Sequence, residues 1–329
     1  MKVKCLKIYE FGNPQEVIRL ENKTIEPPQG QEILVRMLAR PINPSDLIPI
    51  WGKYAHRITL PTIPGYEGVG IIEAVGPLVS PKIIGQRVLP LRGEGTWQEI
   101  VKTQVDFTVT IPETMDDFTA AQMYINPITA FVTCSEVLNL QSNDVLLVNA
   151  CGSAIGHLYA QLAKLLGYQL IAVTRSNQHT EELLQLGAAF VIDTSQMPLY
   201  ETVMALTNGK GADAAIDSIG GEAGNQLAFC VKPEGIFLAI GLLSGIQVNW
   251  TYIVKEAKVQ AKMFHLRHWQ RQTSIEKWQQ TMQQLIHLVQ DGSLKMMNVH
   301  AHFPLLDIHK AIYAVEGTKK GKIFLTNVD

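Results

Sequence analysis

The stretch from Asp144 to Gly156, DVLLVNACGSAIG, decides the fold. Its first half is a short, continuous apolar run, the pattern of a strand covered on both faces. Its second half is a turn of small residues. Beyond the turn, Ile155, Leu158, Leu162, Leu165 and Leu166 recur at helical spacing until Gly167, which can end the helix. Tyr168 to Thr174 is the next strand-like run, and Thr180-Glu181-Glu182 opens another helix with a capping residue and acids in its first turn. Further strand-like runs lie at Ala189 to Asp193, Ala214 to Ser218 and Gly235 to Gly241.

Strand and helix in strict alternation imply right-handed βαβ units and a parallel sheet buried on both faces. The expected fold class is therefore α/β, a doubly wound parallel sheet of the Rossmann type. The texture differs on either side. Before about residue 120, short β-like runs are broken by Gly and Pro: Ile33 to Arg40, which follows the turn Glu26 to Gly30, then Gly68 to Val75, Gln86 to Leu91 and Trp97 to Val101. After Phe264, a Gln-rich helix is expected from Ser274 to Gln290, with Trp278, Met282, Leu285, Ile286 and Val289 as its apolar stripe. A last strand, Lys322 to Asn327, is expected to return to the N-terminal β region.

Composition excludes several classes of function. A chain of 329 residues, 47% hydrophobic and 18% charged, is long enough for two packed domains. With 28 basic against 30 acidic residues, it has no electrostatic reason to bind nucleic acid or an anionic membrane, so a small-molecule partner is expected. Cys5, Cys134, Cys151 and Cys230 are isolated from one another, which argues against a disulfide framework or a four-thiolate zinc site. No secretory or organellar targeting pattern is visible at Met1 to Gly12, and no apolar run reaches the roughly 20 residues of a membrane span. The expected setting is cytoplasmic.

The turn Ala150 to Gly156, between strand and helix, is where a dinucleotide pyrophosphate would rest, because free N–H groups and the helix dipole favour an anion there. Its spacing is not a clean G-x-G-x-x-G, and an ordinary tight turn capped by Ser153 is the bland alternative. At the end of the next strand, an NAD enzyme usually carries an acid for the ribose 2′-hydroxyl. Here the residues are Thr174-Arg175-Ser176-Asn177, with no acid until Glu181. Arg175 is placed to pair with a 2′-phosphate, which favours NADPH over NADH, and Ser176 or Asn177 could add hydrogen bonds.

The whole chain resembles the medium-chain dehydrogenase/reductases. The resemblance rests on PINPSD (41–46), GYEGVG (65–70), GQRV (85–88), GTWQE (95–99), INPITA (125–130), NACGSAIG (149–156), GADAAIDSIGG (211–221) and GKIFL (321–325), in the family's order from end to end. It implies a GroES-like catalytic β domain built from residues 1–121 and 267–329, a Rossmann NADPH-binding domain at 122–266, and an active-site cleft between them. It also implies a homodimer formed through Rossmann sheet edges. The family's cofactor contacts carry over to Asn126, to Gly152, Ser153, Ala154 and Ile155, and to Arg175, Ser176 and Asn177. They continue at Ile240, Gly241, Leu242 and Leu243, at Phe264, His265, Leu266 and Arg267, and at Lys322. Gly241 would border the nicotinamide, where a side chain would block backbone approach.

Many relatives hold a catalytic zinc on a Cys before the Ser/Thr-Asp pair and on the His of a G-H-E segment. At those places stand Asn43 and Tyr66, which are no substitute for a thiolate and an imidazole. The nine histidines show no pair at metal-ligand spacing, and His265 with His268 lacks a third partner, so no zinc centre is expected. Two zinc-independent subfamilies fit: the 2-enoyl thioester reductases of mitochondrial type and the NADPH:quinone oxidoreductases. Trp51-Gly52-Lys53-Tyr54 resembles the enoyl reductases' Gly-x-Tyr segment and makes Tyr54 the candidate catalytic residue. Asn126 to Ala130 and Ser153 point the same way. Phe264-His265-Leu266 departs from those enzymes' Phe-Trp-Leu, and for His265 a hydrogen-bonded core or pocket histidine is the favoured reading. The leading expectation is an NADPH-dependent reductase delivering hydride to an activated C=C such as a 2-enoyl thioester, with quinone reduction second. A catalytically silent NADPH-binding protein, structural or redox-sensing, is the alternative from another class.

Overall fold

The computed structural model describes residues 1–317 and 320–327. Internal contacts divide it into two units, residues 126–274 with 291–295, and residues 1–125 with 275–290 and 296–329. The expected boundary at 266 moves to 274, because the helix Leu266–Gln272 is anchored within the first of these units: Trp269 Nε1 donates to Glu136 Oε2 at 3.0 Å. Residues 291–295 join the same unit through Gln161, whose side chain accepts from Lys295 N at 2.7 Å and donates to Lys295 O at 3.0 Å.

The first unit is a six-stranded parallel sheet: Val145–Val148 (β1), Gln169–Thr174 (β2), Phe190–Asp193 (β3), Ala212–Asp217 (β4), Val231–Ala239 (β5) and Gln260–Met263 (β6). Their order across the sheet is β3-β2-β1-β4-β5-β6, with every neighbouring pair parallel. The winding reverses between β1 and β4, and ligands of such sheets sit beyond the carboxyl ends of the strands at that switch point. The sheet is apolar on both faces, with Leu147, Ile171, Ile192, Ala215 and Phe237 buried on one and Leu146, Leu170, Ile216 and Leu238 on the other.

Between β1 and β2 runs the helix Ala154–Leu166 (α1), capped by the Ser153 hydroxyl and ended by Gly167 at φ 80°. Leu158 and Leu162 are buried as expected, but Leu165 is 41% exposed. Tyr159, Gln161 and Ala163 are buried instead, so the covered face is wider than the leucine stripe and centred elsewhere. Thr180 is not the cap of the next helix. A 3-10 turn, Asn177–His179, precedes the helix Thr180–Leu186 (α2) and puts Thr180 inside it. Strand β5 starts before Gly235, at Val231, because a register shift against β4 absorbs Pro233 and Glu234, the latter at φ 63°.

The second unit is antiparallel apart from one pair of strands. Across its main sheet run Val299–Pro304, Lys322–Thr326, Glu32–Pro41, Val69–Val75, Arg87–Pro90 and Thr108–Thr110, with Ile100–Gln104 also paired to Glu32–Pro41. A hairpin of Lys2–Ile8 and Ile18–Thr24 stands beside it in sequence. The C-terminal strand returns as expected, with Leu325 opposite Arg40. The strand anticipated at Trp97 begins at Ile100, because Trp97 packs on Gly65, where any Cβ would come within 2.3 Å of the indole. The helix Ile275–Gln290 buries Trp278, Met282, Leu285 and Ile286. No helix among the described residues is long and apolar enough to cross a membrane.

Glycine is required where α1 leaves the turn. A Cβ on Gly156 would lie 2.4 Å from both the Cα and the carbonyl oxygen of Cys151. Overpacking against backbone costs about 1–3 kcal/mol. Gly156→Ala is expected to destabilise by about that amount in chemical denaturation, and an unchanged denaturation midpoint would refute this account of the turn.

Candidate functional site

In the parallel-sheet unit, the ends of β1 and β4 are tied together at the switch point. Asn149 Nδ2 donates to Asp217 Oδ1 at 2.6 Å, and Asn149 Oδ1 accepts from Ser218 N at 2.8 Å. The same Asp217 carboxylate accepts from the N–H groups of Ile219 and Gly220 at 3.0 and 3.1 Å, which fixes the loop after β4. On the other side, Ala150 takes φ 54° and Cys151 N donates to Val173 O at 3.1 Å, pinning the turn to β2. Gly152, Ser153, Ala154 and Ile155 follow, all half-buried. The first turn of any helix leaves its N–H groups without intrahelical acceptors, so α1 points free donors and its positive dipole end out of this turn. The arrangement fits a diphosphate.

Arg175, Ser176 and Asn177 are exposed at the end of β2. Thr174 Oγ1 donates to Ser176 O at 2.9 Å and shapes that corner. The carboxylate of Asp193, at the end of β3, is occupied by Ser195, accepting from its N and Oγ at 2.9 and 2.7 Å. The acid-free corner therefore fits a 2′-phosphate better than a bare ribose diol.

The loop after β5 carries Ile240, Gly241, Leu242 and Leu243. A Cβ on Gly241 would lie 2.7 Å from Ser218 O. The close backbone approach expected at this glycine is thus made by the chain's own Ser218. Phe264 is buried, and His265 Nδ1 accepts from Arg267 N at 3.2 Å as the N-cap of the following helix, with its ring stacked on His268 at 5.3 Å. His265 is a capping histidine, close to the bland reading of it. Asn126 lies half-buried in the first turn of the helix Ile125–Val132.

In the β unit, Tyr54 is half-buried just after the helix Pro44–Ile50, with the Arg57 guanidinium 5.2 Å from its ring centroid. Desolvation pushes its phenol pKa up, and Arg57 opposes this only partly. The hydroxyl therefore keeps its proton at neutral pH.

Asn43 and Tyr66 do not form a metal centre. Asn43 Nδ2 donates to Glu67 Oε1 at 2.8 Å, which commits the amide to a carboxylate, and Tyr66 is 48% exposed. The donor set lacks both the thiolate and the imidazole that a zinc ion would need there. Glu67 is instead the centre of a buried network that sequence reading missed. Its Oε2 accepts from Tyr124 N at 3.2 Å and Ile125 N at 2.7 Å, while Thr96 Oγ1 donates to its backbone oxygen at 2.9 Å. Asp46 Oδ2 accepts from Asn43 N at 2.7 Å. Lys322, expected among the cofactor contacts, is 7% exposed, and its charge acts on Glu67 and Asp46. Burial raises both carboxyls, Asp46 to about 7, and lowers the lysine; the acid–lysine attraction opposes each shift. All four cysteines are free and buried, with the thiols of Cys134, Cys151 and Cys230 pushed up to about 12 by burial, so none is poised as a nucleophile.

The structure also gathers a cluster that chain spacing does not reveal. His157, His179 and Glu182 bring their ligating atoms within 4.8 Å of one another. The His179–Glu182 pair was visible at helical i,i+3 spacing, but the third member lies on α1.

A GroES-like β unit joined to a dinucleotide-binding parallel sheet of order 3-2-1-4-5-6 defines the architecture of the alcohol dehydrogenase-like oxidoreductases. Family comparison agrees: the alcohol dehydrogenase GroES-like domain matches residues 29–113, and the domain described as zinc-binding dehydrogenase matches residues 154–290. The mitochondrial enoyl-[acyl-carrier-protein] reductase of Caenorhabditis elegans is 31% identical over 303 residues, covering 89% of this chain and 86% of that protein. The mouse enzyme of the same description is 30% identical over 301 residues, covering 89% and 80%. A Bacillus thuringiensis structure provisionally described as an NADPH:quinone reductase is 64% identical, covers 100% of both chains and superposes with a TM-score of 0.98. The chain belongs to the medium-chain dehydrogenase/reductase superfamily and resembles both its enoyl reductases and its quinone reductases.

The Asp46 carboxyl makes stability depend on pH. An acid whose pKa rises on folding holds a proton that the unfolded chain has already lost, so stability falls as pH rises from about 4, the ordinary aspartate value, to about 7, and then levels. Asp46→Asn keeps an acceptor for Asn43 N and removes the titration. Between pH 5 and 7.5 the variant is expected to show a flatter stability profile and to gain on the parent as pH rises. Parallel profiles would overturn the assignment.

Proposed function

We propose that this protein is a zinc-independent, NADPH-dependent reductase that delivers hydride to an activated C=C, with a 2-enoyl thioester as substrate class. The observation that carries the reading is the commitment of Asn43 to Glu67 at a metal-ligand place, together with a protonated phenol at Tyr54. Without a Lewis acid, a carbonyl oxygen must be polarised by a hydrogen-bond donor, and a phenol is a suitable one. The enoyl reductase relatives at 30–31% identity support this substrate class. Quinone reduction is the second reading, supported by the described activity of the 64% identical Bacillus relative and by His265 in place of the enoyl reductases' tryptophan.

The cofactor half of the chemistry rests on the parallel-sheet unit. The N-terminus of α1 receives the pyrophosphate, Arg175 pairs with the 2′-phosphate, and the loop Ile240 to Leu243 with Asn126 supports the nicotinamide end. When bound, the reduced nicotinamide supplies the hydride. Addition at the β-carbon of an enoyl thioester leaves negative charge on the carbonyl oxygen and a need for a proton at the α-carbon. Tyr54 Oη donates a hydrogen bond to that oxygen, a bond that strengthens as charge develops, and holds a proton that can pass to the α-carbon directly or through water. Burial of the four free thiols agrees with a reducing, cytoplasmic setting. The free edge at β6, with Met263 55% exposed, suits the homodimer expected through sheet edges.

Arg175→Ala is expected to weaken NADPH binding roughly 10- to 100-fold, the equivalent of one charge-assisted hydrogen bond, while NADH affinity hardly changes. Equal losses for the two cofactors in a fluorescence titration would remove Arg175 from the 2′-phosphate site.

Tyr54→Phe keeps the ring and deletes the donor. With an enoyl-CoA, kcat should fall on the order of 100-fold. With a quinone the loss should be smaller, because the phenolate product takes its proton from solvent. A kcat within about threefold of the parent on both substrates, with NADPH still bound, would mean Tyr54 is a packing residue. Comparing enoyl-CoA with a quinone panel on the parent enzyme decides between the two substrate classes.

A further inference from the structure

We propose that His157, His179 and Glu182 form a binding site for a borderline divalent transition-metal ion, of which Zn²⁺ is the type, on the parallel-sheet unit and independent of the reductase reading. His157 Nε2 and His179 Nδ1 are buried, and neither has a hydrogen-bond partner. Both face one oxygen, Glu182 Oε2, at 3.3 and 3.6 Å. These separations are longer than a normal N–H···O bond of about 2.7–3.2 Å. They are close to the edge of a zinc coordination tetrahedron, about 3.4 Å for metal–ligand bonds of about 2.0–2.1 Å. Two imidazole nitrogens each at that spacing from one carboxylate oxygen, with all three atoms within 4.8 Å of one another, are a three-ligand set with a fourth position left for water.

The surroundings suit a metal as well as the ligands do. His157 Nδ1 lies 2.8 Å from Ser153 O, an acceptor only, so Nδ1 is the donor there and Nε2 is the nitrogen turned to the cluster; a backbone carbonyl orienting a ligand imidazole in this way is a recurrent feature of metal sites. The His157 side chain is 7% exposed and that of His179 13%, while Glu182 at 53% gives solvent access. The two rings stand edge to face, 5.6 Å between centroids, so their nitrogens converge without stacking. The His179 ring also lies over Gly152, where a Cβ would approach its Cδ2 to 2.6 Å. Glycine is therefore what lets the ring reach the cluster. An ion held here would cross-link α1 to α2 and clamp the intervening corner that carries Arg175 to Asn177. Two imidazoles and one carboxylate favour zinc or cobalt over calcium or magnesium, which need all-oxygen shells.

The test uses the full chain without a histidine tag, stripped with a chelator and dialysed. Zn²⁺ is titrated in competition with a chromophoric chelator, and Co²⁺ is followed by visible absorption. One Zn²⁺ per chain is expected, with cobalt bands typical of a four- or five-coordinate N₂O site. Glu182→Gln, on the exposed side of the cluster, and His179→Gln should each weaken binding by roughly 100-fold or more and abolish the cobalt bands. Far-UV circular dichroism of the stripped variants serves as the folding check, and Gly152→Ala supplies a second probe that displaces His179 without removing a ligand. Absence of Zn²⁺ binding by the parent would overturn the proposal and leave the cluster an ordinary histidine–glutamate ion pair. Binding that survives both ligand substitutions would overturn it equally, by placing the ion elsewhere.

Discussion

The buried carboxylate of Glu67 constrains the β unit more than any single apolar contact. One side chain accepts from the Asn43 amide and from the N–H groups of Tyr124 and Ile125, and it faces the Lys322 ammonium. Four segments remote in sequence thus converge on one charge. A buried carboxylate with these partners is tolerable, but losing one partner leaves an uncompensated charge, typically a cost of about 3–5 kcal/mol. The second acid, Asp46, avoids doubling that charge because its pKa is raised to about 7, leaving it largely protonated below neutrality. The segments PINPSD, GYEGVG and GKIFL are therefore parts of one electrostatic unit.

The same logic explains why the metal-ligand places are not simply vacant. With Asn43 at the cysteine's place, an amide donor replaces a thiolate and is absorbed by Glu67 rather than left free to coordinate. The phenol of the following loop, Tyr54, is the donor proposed above, and desolvation raises its pKa so that it keeps its proton. With Asn43 and Tyr66 at two ligand places, the donor set for a zinc ion is missing there.

The fold was legible because its pattern is periodic. DVLLV, a small-residue turn and a leucine stripe can hardly be anything but a strand and helix of a parallel sheet, and the structure has them at Val145–Val148 and Ala154–Leu166. Errors fell where two principles competed. The strand expected from Gly235 starts at Val231, because a bulge carries Pro233 and Glu234 through β5. Leu165 fitted the apolar stripe, yet α1 is covered off-centre and Tyr159 and Gln161 take its place. Thr180 had the chemistry of a cap, yet a 3-10 turn came first. Of the candidate site, the turn at Gly152, the exposed Arg175 and the half-buried Tyr54 could be located in advance because each depends on local chain order. The Glu67 network and the His157–His179–Glu182 cluster could not. Each draws on segments distant in sequence, His157 on α1 meeting the His179–Glu182 pair and Glu67 meeting Ile125 58 residues away, and only the winding of the chain gives them a common neighbour.

The glycines at the dinucleotide turn show why its irregular spacing is still a workable site. Two glycines of the turn and one on the loop after β5 meet separate constraints: Gly156 admits the backbone of Cys151, Gly241, on that loop, admits Ser218, and Gly152 admits the ring of His179. Only the first two serve the packing of helix and loop against strand that any such sheet needs. Gly152 is committed to a side chain from the far corner, so the corner after β2 is held against the turn that precedes α1. The contact is a histidine lying on a glycine, which a carboxylate and a second histidine then brace from behind.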